Sequence, residues 1–148
     1  MYIFWSALLA AILAQLLKPV IYYFFIEKKW DWLLIKASGG FPSSHSAMVS
    51  ALALSVGLQE GFTSTFFAIT LTFACIVVYD AANVRFYSGQ NAKITQQLVK
   101  DLKEEHPNDF TDPIYSIKLK LVLGHKWAEV FGGVIFGLII ALIFHMCI

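Results

Sequence analysis

The sequence predicts an all-α integral membrane protein, a helical bundle with about four transmembrane spans plus an amphipathic interfacial helix. Hydrophobic residues make up 58% of the chain and charged residues only 14%, and the mean hydropathy of +0.67 lies far outside the range of soluble domains. The apolar residues also fall in segments close to the ~20 residues that a helix needs to cross a bilayer. With 148 residues, we predict one membrane-embedded domain over residues 1–148.

Composition also excludes several classes of function. The net charge of +1 gives no overall basic character, so nucleic acid is not an expected partner. Cys75 and Cys147 both lie in apolar runs without zinc-type spacing, so we predict no disulfide framework, no metal site and no cofactor. The N-terminus is apolar from Tyr2 onward and lacks a basic segment and a cleavage pattern, which predicts a retained helix and not a signal peptide.

Residues 2–26 are the first predicted span. Gln15 and Lys18 are three residues apart, so they share a helix face, and polar groups within a bilayer helix normally face the protein interior. The alternative for Lys18 is a snorkelling side chain near a membrane end. Because apolar and aromatic residues follow it as far as Glu27, we favour an inward position.

A polar loop over residues 27–44 precedes a short predicted helix over residues 45–58. Its 14 residues fall short of the ~20 needed to cross a bilayer, so its start is expected below the membrane surface. After a turn at residues 59–61, residues 62–79 form the third predicted span.

Residues 83–104 predict an amphipathic helix, with apolar residues at helical spacing, which we place along the membrane surface. A polar loop over residues 105–114 follows, and the last span is predicted over residues 126–147. Its glycines would admit a close neighbour and could serve a second copy of the chain, which makes a homodimer a candidate assembly: Gly132, Gly133 and Gly137.

The distribution of basic residues predicts the orientation. Ten of the 11 lysines and arginines, all except Lys18, belong to the loops at residues 27–44 and 80–125 or to their helix entrances. By the positive-inside rule these loops are cytoplasmic, in a multi-pass protein of the cell membrane. The side chains that such a topology brings to one membrane face are His45, Asp80, Arg85 and His125.

One stretch combines turn-forming and hydroxyl residues ahead of an apolar run: Gly39-Gly40-Phe41-Pro42-Ser43-Ser44-His45-Ser46. The glycines permit tight backbone geometry, and Pro42 turns the chain away from helix before it. Ser43 or Ser44 is then a natural N-cap. A helix N-terminus offers free N–H donors that suit a phosphate, and His45 could pass a proton to it. The simpler alternative is a turn that caps a helix, with an incidental histidine.

His125 and Glu129 are four residues apart, so their side chains share a helix face and can hydrogen-bond. A carboxylate on one imidazole nitrogen fixes the tautomer and leaves the other nitrogen as a nucleophile. Arg85, Lys18 and the backbone at 43–45 could hold the phosphate oxygens. The alternatives are a solvated polar pair at a helix start, and for Asp80 with Arg85 a structural ion pair.

These motifs resemble a known superfamily. Pro42-Ser43-Ser44-His45 resembles the Pro-Ser-Gly-His motif of type 2 phosphatidic acid phosphatases and vanadium haloperoxidases, and His125-x-x-x-Glu129 resembles the end of another of its motifs. Over nearly its full length the chain is similar to the divergent branch called acid phosphatase/vanadium haloperoxidase-related. The segments of that resemblance include Tyr79-Asp80-Ala81 through Val84-Arg85, and Leu123-Gly124-His125 through Glu129-Val130.

The resemblance implies a metal-independent phosphatase with a phosphohistidine intermediate. It implies that His125 is the nucleophile, Glu129 its orienting carboxylate and His45 the general acid, with Ser43 and Ser44 as phosphate donors. Asp80 and Gly40 are supporting candidates beside Lys18 and Arg85. The sequence departs from the superfamily where arginines are expected, with Leu119 six residues before His125 and Phe25 seven residues after Lys18. Glu129 replaces an aspartate and Ser44 a glycine.

Three functions follow as hypotheses. The first is a phosphatase that hydrolyses a phosphomonoester or diphosphate on a lipid, which a small membrane chain suits better than haloperoxidase chemistry. The second is a non-catalytic lipid-phosphate binder or small transporter. The third is a metal-dependent lipid phosphatase whose ligands would be His45, His125, Asp80 and Glu129.

Overall fold

The computed structural model describes residues 1–28, 30, 32, 35, 39–106, 109–117 and 124–147. It confirms the all-α prediction, since the described residues contain no strand. The five α-helices are α1 (Tyr2–Tyr22), α2 (Ser44–Glu60), α3 (Thr65–Tyr79), α4 (Arg85–Glu105) and α5 (Trp127–Met146). The π-helical segment Tyr23–Glu27 extends α1, and a second one, Asp80–Val84, joins α3 to α4. A 3₁₀ turn spans Pro113–Ser116.

Among the described residues, three helical segments are long and apolar enough to cross a membrane: Tyr2–Phe25, Thr65–Glu105 and Trp127–Met146. The fourth helix of the bundle, α2, has 17 residues. At about 1.5 Å per residue it is about 26 Å long, somewhat less than the ~30 Å hydrocarbon core. The predicted shortness of this helix is therefore confirmed.

The short helix α2 occupies the centre of the bundle. It packs on α1, α3 and α5, and α1 also contacts α5. The interface is built from small residues, with a fully buried alanine cluster that combines Ala10, Ala14, Ala47, Ala51 and Ala141. Small side chains let helix backbones approach closely, so van der Waals packing can hold helices together inside a membrane.

The glycines of α5 are part of this close approach. A side chain on Gly133 would collide with the carbonyl oxygen of Ser43, one on Gly137 with the Ala47 carbonyl, and one on Gly132 with the Phe41 ring. This glycine face, the candidate contact for a second copy, is therefore packed against residues of the same chain. The spacing of the glycines indicates that this face has a close neighbour, but it does not show which neighbour. The homodimer itself stays a prediction.

We predict that Gly133→Ala destabilises the protein, because its new methyl group must displace the backbone that starts α2. Overpacking of this kind costs about 1–3 kcal/mol. Thermal unfolding in detergent measures the effect, with the exposed position Ser88→Ala as control. Equal unfolding temperatures for both variants would contradict the close α2–α5 contact.

The amphipathic helix predicted over residues 83–104 corresponds to α4, which continues from α3 through Asp80–Val84. Its apolar residues Val84, Tyr87, Ile94 and Leu98 are exposed, and its position along the membrane surface stays a prediction. Leu119 and Leu123 lie outside the described residues, as do four of the basic residues that predict the orientation: Lys29, Lys36, Lys118 and Lys120.

Candidate active site

The site lies where α2 begins. Ser43, one of the two predicted positions, is the N-cap of α2. Its Oγ accepts hydrogen bonds from the Ser46 N–H at 3.3 Å and from the Ser46 hydroxyl at 3.0 Å. Both serines are fully buried. The Ser43 N–H donates to the Glu129 carbonyl oxygen at 3.0 Å. This backbone bond fixes the start of α2 against α5.

The first turn of α2 presents two backbone donors. Within the described part of the chain, no acceptor pairs with the N–H groups of Ser44 and His45. The positive end of the helix dipole adds to their affinity for an anion. Ser43 has only its own hydroxyl hydrogen left to donate, so the backbone of Ser44 and His45 offers the better phosphate contacts.

His125 is the largest side chain with almost no exposure, at 2%. Its Nδ1 lies 3.0 Å from Glu129 Oε2, which confirms the predicted i, i+4 hydrogen bond. The same carboxylate oxygen accepts from the Lys126 N–H at 3.3 Å, and the Gly40 backbone lies within its hydrogen-bonding reach. Among the described residues, no hydrogen-bond partner faces His125 Nε2. A carboxylate at Nδ1 favours the tautomer that leaves the Nε2 lone pair available.

The backbone at His125 is docked on the π-helical segment. The His125 N–H donates to the Ala81 carbonyl at 3.0 Å. Gly124 has φ of +77°, and a side chain there would collide with the backbone of Arg85 and Phe86. A glycine is therefore required before His125. No role for Gly124 followed from the sequence, because the surface on which it docks is about 40 residues earlier in the chain.

The second histidine stands beside the first. The His45 and His125 ring centroids are 6.3 Å apart with the planes at 63°, and His45 is exposed. The two rings are therefore close enough to contact one bound group from different sides.

Two cations approach this pair. Lys18 is 4% exposed, which confirms its inward position over the snorkelling alternative. Its side chain passes Gly40, with Cδ 3.9 Å from the place of a Cβ on that residue, and its charge acts on both Glu129 and His45.

Arg85 donates from Nε to Asp80 Oδ2 at 2.6 Å, so the structural ion pair that the sequence left open is present. The Arg85 side chain is 47% exposed and its charge reaches His45. A guanidinium has further N–H donors beyond Nε. A phosphate-binding role for Arg85 is therefore compatible with this ion pair and stays a prediction.

The structure thus brings every predicted site residue to one end of the bundle: Lys18, Gly40, Ser43, Ser44, His45, Asp80, Arg85, His125 and Glu129. Their chemical roles stay predictions. In the part of the chain that the structure describes, no three His, Cys, Asp or Glu side chains converge as they would around a metal ion.

A cavity of about 200 Å³ adjoins His125. Its wall includes Asn83 and Tyr87 from the π segment and α4, and Lys126 and Trp127 from the start of α5. The sequence analysis did not single out these four residues for the site, because only the docking of residues 124–125 brings them together.

The comparisons with known proteins agree with this architecture. No solved structure matches the chain. The chain is 39% identical over 143 residues to the uncharacterized membrane protein YuiD of Bacillus subtilis, with 93% of this chain and 90% of that protein aligned. Residues 1–140 match the family described as the Divergent PAP2 family. The match covers the bundle and the site together, from α1 through most of α5. This membrane protein therefore belongs to the Divergent PAP2 family.

Proposed function

We propose that this protein is a phosphatase that hydrolyses a phosphomonoester or diphosphate on a lipid through a phosphohistidine intermediate at His125. The observation that carries the proposal is the buried imidazole of His125, whose Nδ1 is held by Glu129 and whose Nε2 has no partner among the described residues. A buried nitrogen without a partner costs free energy, so such a group in a site suggests a reactive role.

In the first step, the Nε2 lone pair attacks phosphorus and the bond from phosphorus to the leaving oxygen breaks. His45, as imidazolium, gives its proton to that oxygen, and the lipid leaves as an alcohol or as a shorter phosphate. The proton on Nδ1 stays between His125 and Glu129, where the carboxylate stabilises the positive charge of the phosphorylated ring.

In the second step, neutral His45 takes a proton from water while the water oxygen attacks phosphorus. The bond from phosphorus to Nε2 breaks, inorganic phosphate leaves, and both histidines return to their starting states. The exposed position of His45 suits this step, because the attacking water must reach it.

Charge on the phosphoryl oxygens is met by the donors at the α2 N-terminus and by Lys18, and Arg85 is a further candidate cation whose charge reaches His45. Phosphoryl transfer depends mainly on such positioning and electrostatic stabilisation. The site end of the bundle is proposed to face the cytoplasm, since the basic loops belong to it. A lipid phosphate in that leaflet presents its headgroup at this depth.

The test is phosphate release by the purified protein from a panel of lipid phosphates, with and without EDTA. We expect release that EDTA does not change. Release that EDTA abolishes would favour the metal-dependent alternative. Binding without release would favour the non-catalytic binder. Two observations support that alternative: Arg85 is engaged with Asp80, and Leu119 stands at a position where the superfamily has arginine.

We predict that Glu129→Gln lowers kcat on the order of 10²-fold with little change in KM. A glutamine can present an amide N–H to Nδ1, which stabilises the tautomer whose Nε2 carries a proton and cannot attack. Steady-state kinetics measure the effect, with the exposed Glu60→Gln at the opposite end of α2 as matched control. Equal kcat for both variants would remove Glu129 from the mechanism.

A further inference from the structure

A large apolar cavity lies between α3 and α5, on the surface of α2. Both helices pack on α2, but among the described residues they share no extensive contact with each other. The gap between them has a volume of about 380 Å³, within the range of ligand-binding pockets. We call it the α3–α5 groove.

The walls of the α3–α5 groove contain almost no polar group. They include Val49 and Ala53 of α2, Leu71 and Ala74 of α3, and Val134 and Leu138 of α5. The hydroxyl of Ser50 also reaches the groove, but it already donates to the carbonyls of Ala47 and Val134. The groove therefore suits a hydrocarbon chain.

One end of the groove lies directly below the site. Val78, at this end, packs on the cluster of Ala81, Ala82 and Val130, and Ala81 holds the backbone of His125. On α5, Val134 is about one helical turn beyond Val130, a rise of about 6 Å. The residues that connect the site with the groove are therefore all apolar.

Two aromatic rings lie at the other end of the groove. Phe62 and Phe67 meet edge to face with centroids 5.2 Å apart, and both line the groove. Gly57 gives them room, since a Cβ there would lie 2.5 Å from the Phe62 ring. From Phe67 to Val78 the helix rises about 16 Å at ~1.5 Å per residue. An extended chain advances about 1.2 Å per atom, so this length holds about a dozen methylene groups.

We propose that the α3–α5 groove binds the hydrocarbon chain of the lipid phosphate, and that the Phe62–Phe67 pair limits the length of chain it accepts. This inference rests on the proposed function for the phosphate end of the ligand. Its occupant is a single alkyl or isoprenyl chain. The chain is already in an apolar solvent before it enters, so the groove contributes packing and position and not a hydrophobic transfer energy.

The native thiol of Cys75 lines the groove and is accessible, which gives a test that needs no turnover. The Cys147→Ser protein in phosphatidylcholine nanodiscs is labelled with a membrane-permeant maleimide, with added alkyl phosphonates that cannot be hydrolysed at their carbon–phosphorus bond. A bound ligand slows labelling by the factor 1 + [L]/Kd, about fivefold at four times Kd. We expect this protection from dodecyl phosphonate, and none from butyl phosphonate or dodecanol.

The matched control moves the thiol by one residue, to the outer face of α3. Ile76 is 61% exposed, so Ile76→Cys in a Cys75→Ser, Cys147→Ser background should label at one rate throughout. Equal protection at both thiols, or protection by the alcohol alone, would mean lipid partitioning and would overturn the proposal. The proposal would also be overturned if Cys75 were not labelled in the absence of ligand and crosslinking showed a second copy of the chain.

Chain length gives the second measurement. Phe67→Ala removes one of the two rings that we propose limit the chain, so hexadecyl phosphonate should gain protection relative to dodecyl phosphonate. The neighbouring substitution Phe66→Ala, at an outward residue, should not change the preference. An unchanged preference in Phe67→Ala would contradict the length limit. Protection without phosphate release would uphold the groove and refute catalysis, whereas release without protection would do the reverse.

Discussion

His125→Ala is expected to lower phosphate release on the order of 10³-fold or more, because it removes the atom that accepts the phosphoryl group. The loss should appear in kcat, since Lys18 and the N-terminus of α2, which hold the phosphate, are untouched. The side chain is buried, so its removal also leaves a cavity. Phosphate release is therefore measured together with thermal unfolding, and the kinetic comparison uses protein that is folded at the assay temperature.

The matched control is His145→Ala. That histidine also lies in α5, in its last turn, with its ring 5.8 Å from that of Tyr2 at the opposite end of the bundle. His145→Ala should retain wild-type phosphate release. Substantial release by folded His125→Ala would contradict the role of His125 as the nucleophile. Loss of release in His145→Ala alone would place the active site at the opposite end of the bundle.

His45→Ala is expected to affect the two chemical steps differently, depending on whether the leaving group of the substrate needs a proton. With an alkyl phosphate, the first step needs a proton for the leaving alkoxide, and loss of a general acid costs about 10²- to 10⁴-fold. With para-nitrophenyl phosphate the leaving phenolate needs no proton, so a rapid burst of nitrophenol should survive. Steady-state turnover should then be slow, since His45 also activates the water that hydrolyses the phosphohistidine.

Stopped-flow absorbance measures the burst, and His106→Ala, an exposed histidine after α4, is the control. A loss of the same size for both substrates, without a burst, would show that His45 has a structural role or binds phosphate and does not transfer protons.

The sequence predicted the helical elements well, since hydropathy locates a membrane helix without reference to its neighbours. The Ser43 cap and the His125–Glu129 pair could also be predicted from the sequence, because both depend on contacts within four residues. The inward position of Lys18 followed from its depth in α1. These features are local, and they account for most of the catalytic proposal.

Other features depend on which helix lies beside which. The glycines at 132, 133 and 137 carried a clear packing signal, but only the three-dimensional arrangement shows that their neighbours are Phe41, Ser43 and Ala47. The docking of Gly124 on the backbone of Arg85 and Phe86 is likewise a long-range contact. The α3–α5 groove is a gap between elements, and no periodicity in the chain could have indicated it.

The most direct test of the central claim is rapid quench of the protein with a radiolabelled lipid phosphate, followed by peptide mapping. We expect a phosphoryl group on the peptide that contains His125, stable in alkali and lost in mild acid. It should be absent from His125→Ala and should accumulate in His45→Ala with a good leaving group. Turnover without any labelled protein, or a label that persists in His125→Ala, would contradict the phosphohistidine mechanism.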